Sequence, residues 1–307
     1  MNSKLSSEIK AEAQRLGFFA CGIAKAKRVS TEEEDHLRSW LAAGLNADMS
    51  WMNNHLDKRL DPRLLMDGLK SIVCVVMNYT PSRTLPKGEP QIAAYALGKD
   101  YHDVIKQQLC RLATFIYGED AEHANYRVFV DSGPVLERYW AQQAGIGWIG
   151  KNEQLIIPHA GSMFFLGELF LDYELDYDSP TTNRCSNCSR CIEQCPTHAL
   201  SKDGLFDASL CLSYQTIENP HELSDLAKKN IGDTFYGCDL CQKACPWNRF
   251  AQPNDIPEFQ PTEELLGMTR AKWEQLSLVD YQRLFKGSAV KRAKYDGIMR
   301  NISALKT

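Results

Sequence analysis

Eight of the chain's eleven cysteines stand at spacings that can hold iron. Cys185-x2-Cys188-x2-Cys191-x3-Cys195 runs into Pro196, and Cys238-x2-Cys241-x3-Cys245 runs into Pro246. Thiolates two or three residues apart on a tight loop can take successive corners of a [4Fe-4S] cube. In two-cluster proteins the fourth cysteine of such a run serves the other cluster. The second block lacks its leading cysteine, and Cys211 is the candidate to replace it. The crossed pattern then gives one cluster Cys185, Cys188, Cys191 and Cys245, and the other Cys195, Cys211, Cys238 and Cys241. Pro196 and Pro246 turn the chain away after each crossing ligand, because proline fixes φ. Two clusters held this way form a one-electron relay, and a relay needs something at its end.

Zinc also uses paired CxxC motifs, but a tetrahedral site needs four ligands and has no use for a CxxCxxCxxxCP run. A disulfide framework suits a small secreted domain. This chain has 307 residues, enough to bury its own core, and its N-terminus does not resemble a signal peptide. Cys21, Cys74 and Cys110 sit in apolar surroundings and read as small core hydrophobes.

Outside the cysteines, Asp131 is the carboxylate of interest. It falls where a strand is expected to end and a helix to begin, a place from which reactive groups project into clefts. The plain alternative is a helix-start acid stabilised by the helix dipole, with its pKa lowered, whereas a proton donor needs a raised one. Gly145-Ile-Gly147-Trp-Ile-Gly150 matches GxGxxG in letters. The expected order is helix before and strand after, the reverse of a dinucleotide site, so the glycines are read as letting backbone approach something flat or bulky. Asp100-Tyr-His102 begins like DxHxxG, but Ile105 occupies the glycine position. The seven histidines form no HxxxH or HxxE pair. Tyr139, Trp140 and Trp148 read as packing, with an aromatic lining for a large cofactor as the alternative.

The elements that must position these groups alternate between helix and strand. Leu5, Ile9, Ala13 and Leu16 recur at helical spacing, and Gly17 follows as a stop. Strands are expected at residues 18–24, 71–78, 126–130, 154–157 and 163–171. Thr31 to Glu34 reads as a capping box opening a helix through Leu41. Further helices are expected at residues 104–117 and 135–144, the latter with Pro134 in its first turn. Residues 79–90 read as a loop, a helical insert separates Cys211 from Cys238, and the last forty-odd residues read as helical. The pattern is α+β, divided into residues 1–178 (catalytic), 179–252 (ferredoxin-like) and 253–307 (a short, basic helical segment).

The net charge is −4, with 44% hydrophobic and 24% charged residues, as in a soluble globular protein. The apolar runs 72–77 and 163–171 are too short to cross a bilayer, and the second contains Glu168. Cytoplasm is the expected compartment, which suits oxygen-sensitive clusters and free thiols. From residue 270 onward nine Lys/Arg face three acids, a local +6 against −10 for the remainder. Such an end is either a phosphate-backbone contact or a solvated helix face.

Taken in order, the segments Tyr95-Ala-Leu-Gly-Lys-Asp-Tyr-His102, Val130-Asp-Ser-Gly-Pro-Val-Leu-Glu-Arg138, Gly147-Trp-Ile-Gly-Lys-Asn152 and Cys211-Leu-Ser-Tyr214 with the cysteine blocks resemble the epoxyqueuosine reductases. The resemblance extends to about residue 300. It implies a cobalamin cofactor on a nitroreductase-like domain, two [4Fe-4S] clusters, and reduction of epoxyqueuosine to queuosine at the wobble base of tRNA. It makes Asp131 the proton donor and all eight block cysteines cluster ligands. The corrin contacts it implies are Lys99, Tyr101, Ser132, Gly133, Val135, Gly147, Trp148, Gly150, Lys151 and Ser213. The incomplete DxHxxG agrees with a cobalt that takes no protein histidine. Many members continue into a helical-repeat tail that grips tRNA. The expectation for this chain is a smaller tRNA contact, relying on its basic end and the cleft rim. The partners expected are tRNA and an external electron donor, with a monomer and no membrane. Two other functions share features: a cobalamin-dependent reductive dehalogenase of small molecules, and a plain electron-transfer protein.

Overall fold

The computed structural model describes residues 3–305, so Lys306, counted above in the basic end, lies outside the described residues. Its strands are β1 (Ala20–Lys25), β2 (Ser71–Asn78), β3 (Gln91–Ile92), β4 (Tyr126–Phe129), β5 (Trp148–Ile149), β6 (Leu155–Ile156), β7 (Phe164–Leu171) and β8 (Thr234–Tyr236). The N-terminal helices are α1 (Ser3–Arg15), α2 (Thr31–Ala42), α3 (Leu56–Leu60), α4 (Tyr101–Tyr117) and α5 (Glu137–Gln143). Four strands form an antiparallel sheet in the order β1-β2-β7-β4. The fold is mixed helix and sheet.

Strand β2 explains how that sheet is covered. Its side chains alternate between faces. Ile72, Cys74 and Val76 join the core that contains Leu37 of α2 and Trp140 of α5. Val73, Val75 and Met77 join the core that contains Ile9 of α1 and Leu109 of α4. Both faces are therefore buried, and this is why the strand reads as an unbroken apolar run.

A third core joins Leu85, Ile92 and Leu97 to Phe235, Trp273, Phe285 and Ile302. Strand β3 pairs in parallel with β8 across it, so a loop of the first half is built into the C-terminal layer. Asp178 is tied back to the first strand: its Oδ2 accepts the Ile23 N–H at 2.8 Å, and Lys10 pairs with it at 2.6 Å.

Three local expectations shift. Ser30, not Thr31, caps α2, its hydroxyl accepting the Glu33 N–H at 3.3 Å. Helix α4 begins at Tyr101, because the Asp100 carboxylate caps it on the His102 N–H at 3.1 Å. Helix α5 begins at Glu137 rather than Val135, so Pro134 precedes it and residues 130–136 form an open turn.

Candidate active site and the cysteine cavities

The eight cysteines of the two blocks separate into two groups of four. Cys185, Cys188, Cys191 and Cys245 line a cavity of about 120 Å³, closed by Pro246 and Trp247. Cys195, Cys211, Cys238 and Cys241 lie on the wall of a much larger cavity of about 1400 Å³. The two blocks fold alike, each with a one-turn helix (Arg190–Glu193 and Leu240–Lys243) before its last cysteine. Among the described residues, no three His, Cys, Asp or Glu side chains converge as ligands of one ion would. The thiols instead stand around open volumes, as ligands of a polynuclear cluster must. Burial raises the thiol pKa at Cys191 to about 11 and at Cys238 to about 12. Thiols held this way ionise readily only against a metal, which deprotonates its sulfur ligands.

Side-chain hydrogen bonds hold the second block against the sheet. Gln242 Nε2 donates to the Ser162 carbonyl at 2.9 Å and to the Tyr79 hydroxyl at 3.0 Å. Asp239 Oδ2 accepts the Ala94 N–H at 2.8 Å. The loop that carries Cys238 and Cys241 is thereby fixed to residues 79–94.

Asp131 lines the same large cavity. It has φ +55°, a left-handed conformation that aspartate tolerates better than most side chains. Its carboxylate is 57% exposed, open to a reactant in the cavity. The Tyr101 hydroxyl donates to Asp131 Oδ2. Tyr101 is itself fixed by stacking on Phe165 of β7, with ring centroids 4.3 Å apart. Burial, with the Asp131 charge beside it, keeps the Tyr101 phenol well above the usual tyrosine range. His102 Nε2 lies 3.7 Å from the same Oδ2. Its Nδ1 is 2.6 Å from Asp100 Oδ1, and that partner holds the imidazole pKa above its ordinary value.

Of the corrin contacts expected from sequence, Tyr101, Ser132, Gly133, Val135 and Ser213 line the large cavity. Lys99, Gly147, Trp148, Gly150 and Lys151 do not. Lys99 is exposed, and its backbone N–H donates to the Glu258 carbonyl at 2.7 Å. Trp148 is fully buried against Cys245 and Cys185. Lys151 Nζ donates to the Ser186 carbonyl at 2.8 Å and the Cys188 carbonyl at 3.1 Å, beside the smaller cysteine cavity. The glycines here approach the chain's own backbone. A Cβ on Gly147 would fall 2.3 Å from the Ile156 carbonyl oxygen across the β5–β6 hairpin, and Gly145 (φ +73°) faces the Ser179 carbonyl.

Two acids beside Asp131 have no site role assigned from sequence. Glu137 accepts the Asp131 backbone N–H on Oε1, and Glu168 of β7 is fully buried next to Glu137. Burial raises both carboxyl pKa values, Glu137 further through the Asp131 charge and Glu168 through Glu137.

The basic C-terminal end is largely paired internally. Arg292 meets Glu218 at 2.7 Å, Arg283 meets Asp280 at 2.9 Å, and Arg300 donates to the Asn219 and Gln215 carbonyls, each at 2.9 Å. Lys291 lines the large cavity along with Arg292.

Two cysteine cavities, one opening onto a wall that carries a tyrosine-bound carboxylate, define an iron–sulfur oxidoreductase. The family model described as epoxyqueuosine reductase QueG, DUF1730, matches residues 59–132, and a 4Fe-4S double cluster binding domain matches residues 184–248. The chain is 45% identical to the epoxyqueuosine reductase of Cellulophaga algicola over 99% of this chain and 98% of that protein. It is 41% identical to that of Xanthomonas campestris pv. campestris, over 97% of this chain and 85% of the relative. Among solved structures, the epoxyqueuosine reductase of Streptococcus thermophilus superposes with TM-score 0.87 at 29% identity, covering 99% of this chain and 80% of that one. An epoxyqueuosine reductase with an epoxyqueuosine-modified tRNA-Tyr stem loop gives TM-score 0.87 at 28% identity, covering 98% and 80%. The chain belongs to the epoxyqueuosine reductase family. A catabolic reductive dehalogenase shares the fold at 16% identity and TM-score 0.50, covering 84% of this chain and 33% of that one.

Proposed function

We propose that this chain reduces epoxyqueuosine to queuosine at the wobble position of tRNA, with electrons relayed through two [4Fe-4S] clusters to a cobalamin. The observation that carries this reading is that one large cavity is lined both by four cysteines and by Asp131. At about 1400 Å³ it exceeds the usual small-ligand pocket of roughly 300–1,000 Å³ and suits a corrin together with an extruded base. Unstacked anticodon-loop bases are the usual targets of such extrusion. The division into a corrin-binding, nitroreductase-like part (1–178), a two-cluster part (179–252) and a helical end (253–307) follows this reading. So does a monomer in the cytoplasm; no helix among the described residues is long and apolar enough to cross a membrane.

When bound, cobalamin supplies a strongly reducing, nucleophilic cobalt. Tyr101, Ser132, Gly133, Val135 and Ser213, which line the cavity, are the residues that would hold it. The overall change takes two electrons and two protons, and the epoxide oxygen leaves as water. Asp131 gives a proton to that oxygen as the C–O bond breaks, and Tyr101 orients the carboxyl that gives it. The test is an anaerobic assay with reconstituted protein, cobalamin, a strong reductant and epoxyqueuosine-containing tRNA, read by mass spectrometry of the released nucleosides. Queuosine is expected, and its absence with both clusters filled overturns the reading.

A further inference from the structure

Glu168 lies in the middle of β7, opposite Cys74 of β2 on one side and Phe129 of β4 on the other. It is fully buried, and neither carboxyl oxygen receives a hydrogen bond from any donor among the described residues. A carboxylate without donors is not stable in such a place. The polar side chain it meets is another acid, Glu137, which lines the large cavity. Two carboxyls side by side cannot both ionise, and one proton between them satisfies both.

Glu168 is the deeper of the two and the one without a donor, so the proton belongs there. Glu137 is then free to act as acceptor, and what it accepts is the N–H of Asp131. Asp131 holds a left-handed φ of +55°, which still carries a backbone cost even for aspartate and gains from a partner that fixes its N–H. The other charged or titratable groups facing the pair are Cys74 from β2, Tyr101 and His102 from α4, and Asp131 and Arg138 from the turn and first residues of α5.

We propose that Glu168 keeps a proton and donates it to Glu137, and that this acid pair is the positioning device that fixes the turn carrying Asp131. The inference rests on the proton-donor role given to Asp131 above. The pair itself touches no reacting atom, so both members are positioning residues.

Infrared difference spectra of the cluster-loaded protein test the proton directly. Wild type should show the carbonyl stretch of a buried, protonated carboxyl well above the pH at which exposed acids ionise. Glu168→Gln should lose that band while keeping an N–H donor toward Glu137. In single turnover, Glu168→Met should lower the rate by ~100-fold, the scale of a misplaced catalytic group, with little change in KM for tRNA. Glu168→Gln should recover most of that loss. A wild-type spectrum without the band overturns the proposal, as does a Gln variant as slow as the Met variant. Full activity in Asp131→Asn would instead remove the reading on which the proposal rests, and the infrared band would still report the pair.

Discussion

The Tyr101 hydroxyl donates to the carboxylate of Asp131 from the first turn of a helix whose cap, Asp100, also holds His102. One short segment therefore orients the acid from one side while Glu137 holds its backbone from the other. Asp131→Asn keeps the size and the hydrogen bond but has no proton to give. It should abolish turnover, a loss of ~100-fold or more for a general acid, with cluster and cobalamin spectra unchanged. Tyr101→Phe removes the hydrogen bond that orients the Asp131 carboxyl, so it should slow turnover by ~10-fold. Retained activity in the Asn variant would take Asp131 out of the reaction.

The separation of the cysteines into two cavities makes a prediction about iron. Cys245 faces Cys185, Cys188 and Cys191, although it stands in the second sequence block. Cys245→Ala should empty that site and leave the other filled, lowering iron from about eight to about four per chain. Cys211→Ala should remove the other half. The two variants should lose different electron paramagnetic resonance signals after reduction. Loss of the same signal in both would contradict the crossed grouping.

The cysteine sites were legible because ligand spacing is a local property, and strand β2 because burial on both faces writes itself as an apolar run. Asp131 was visible as a carboxylate at a strand end, but its left-handed backbone was not. Glu168 entered the sequence reading only as a charge that argued against a membrane span. Its meaning depends on Glu137, 31 positions away, and no periodicity links the two. From sequence, the glycines of 145–150 let backbone approach something flat or bulky, without saying what. The room at Gly147 is taken by the carbonyl of Ile156, a contact that needs the β5–β6 hairpin to be known. Caps fail by single residues for a related reason: Ser30 and Thr31 are both competent, and the geometry of the preceding chain decides.

The basic end yields a graded prediction. Arg292 and Arg300 are committed to Glu218 and to backbone carbonyls, whereas Lys291 sits at the cavity wall. If tRNA phosphate reaches this rim, Lys291→Ala should weaken tRNA binding and lower the slope of log K against log salt by about one. Arg292→Ala should also lower thermal stability, because it leaves Glu218 unpaired. An unchanged salt slope in the lysine variant would place the phosphate contacts elsewhere.

The buried acid pair also makes stability depend on pH, with a definite sign. Glu168 has a folded pKa well above its ordinary 4.5, while in the unfolded chain it ionises near that value. Below about 4.5 both states hold the proton and there is no penalty. As pH rises past that point the unfolded state loses its proton first, and folding weakens by about 1.4 kcal/mol per pH unit until the folded pKa is passed. Glu168→Gln has no proton to lose and escapes the penalty. The Tm difference between this variant and wild type, with clusters loaded in both, should therefore grow in favour of the variant from about pH 5 to about pH 7. A difference that stays flat over that interval would mean that Glu168 is already ionised in the folded protein.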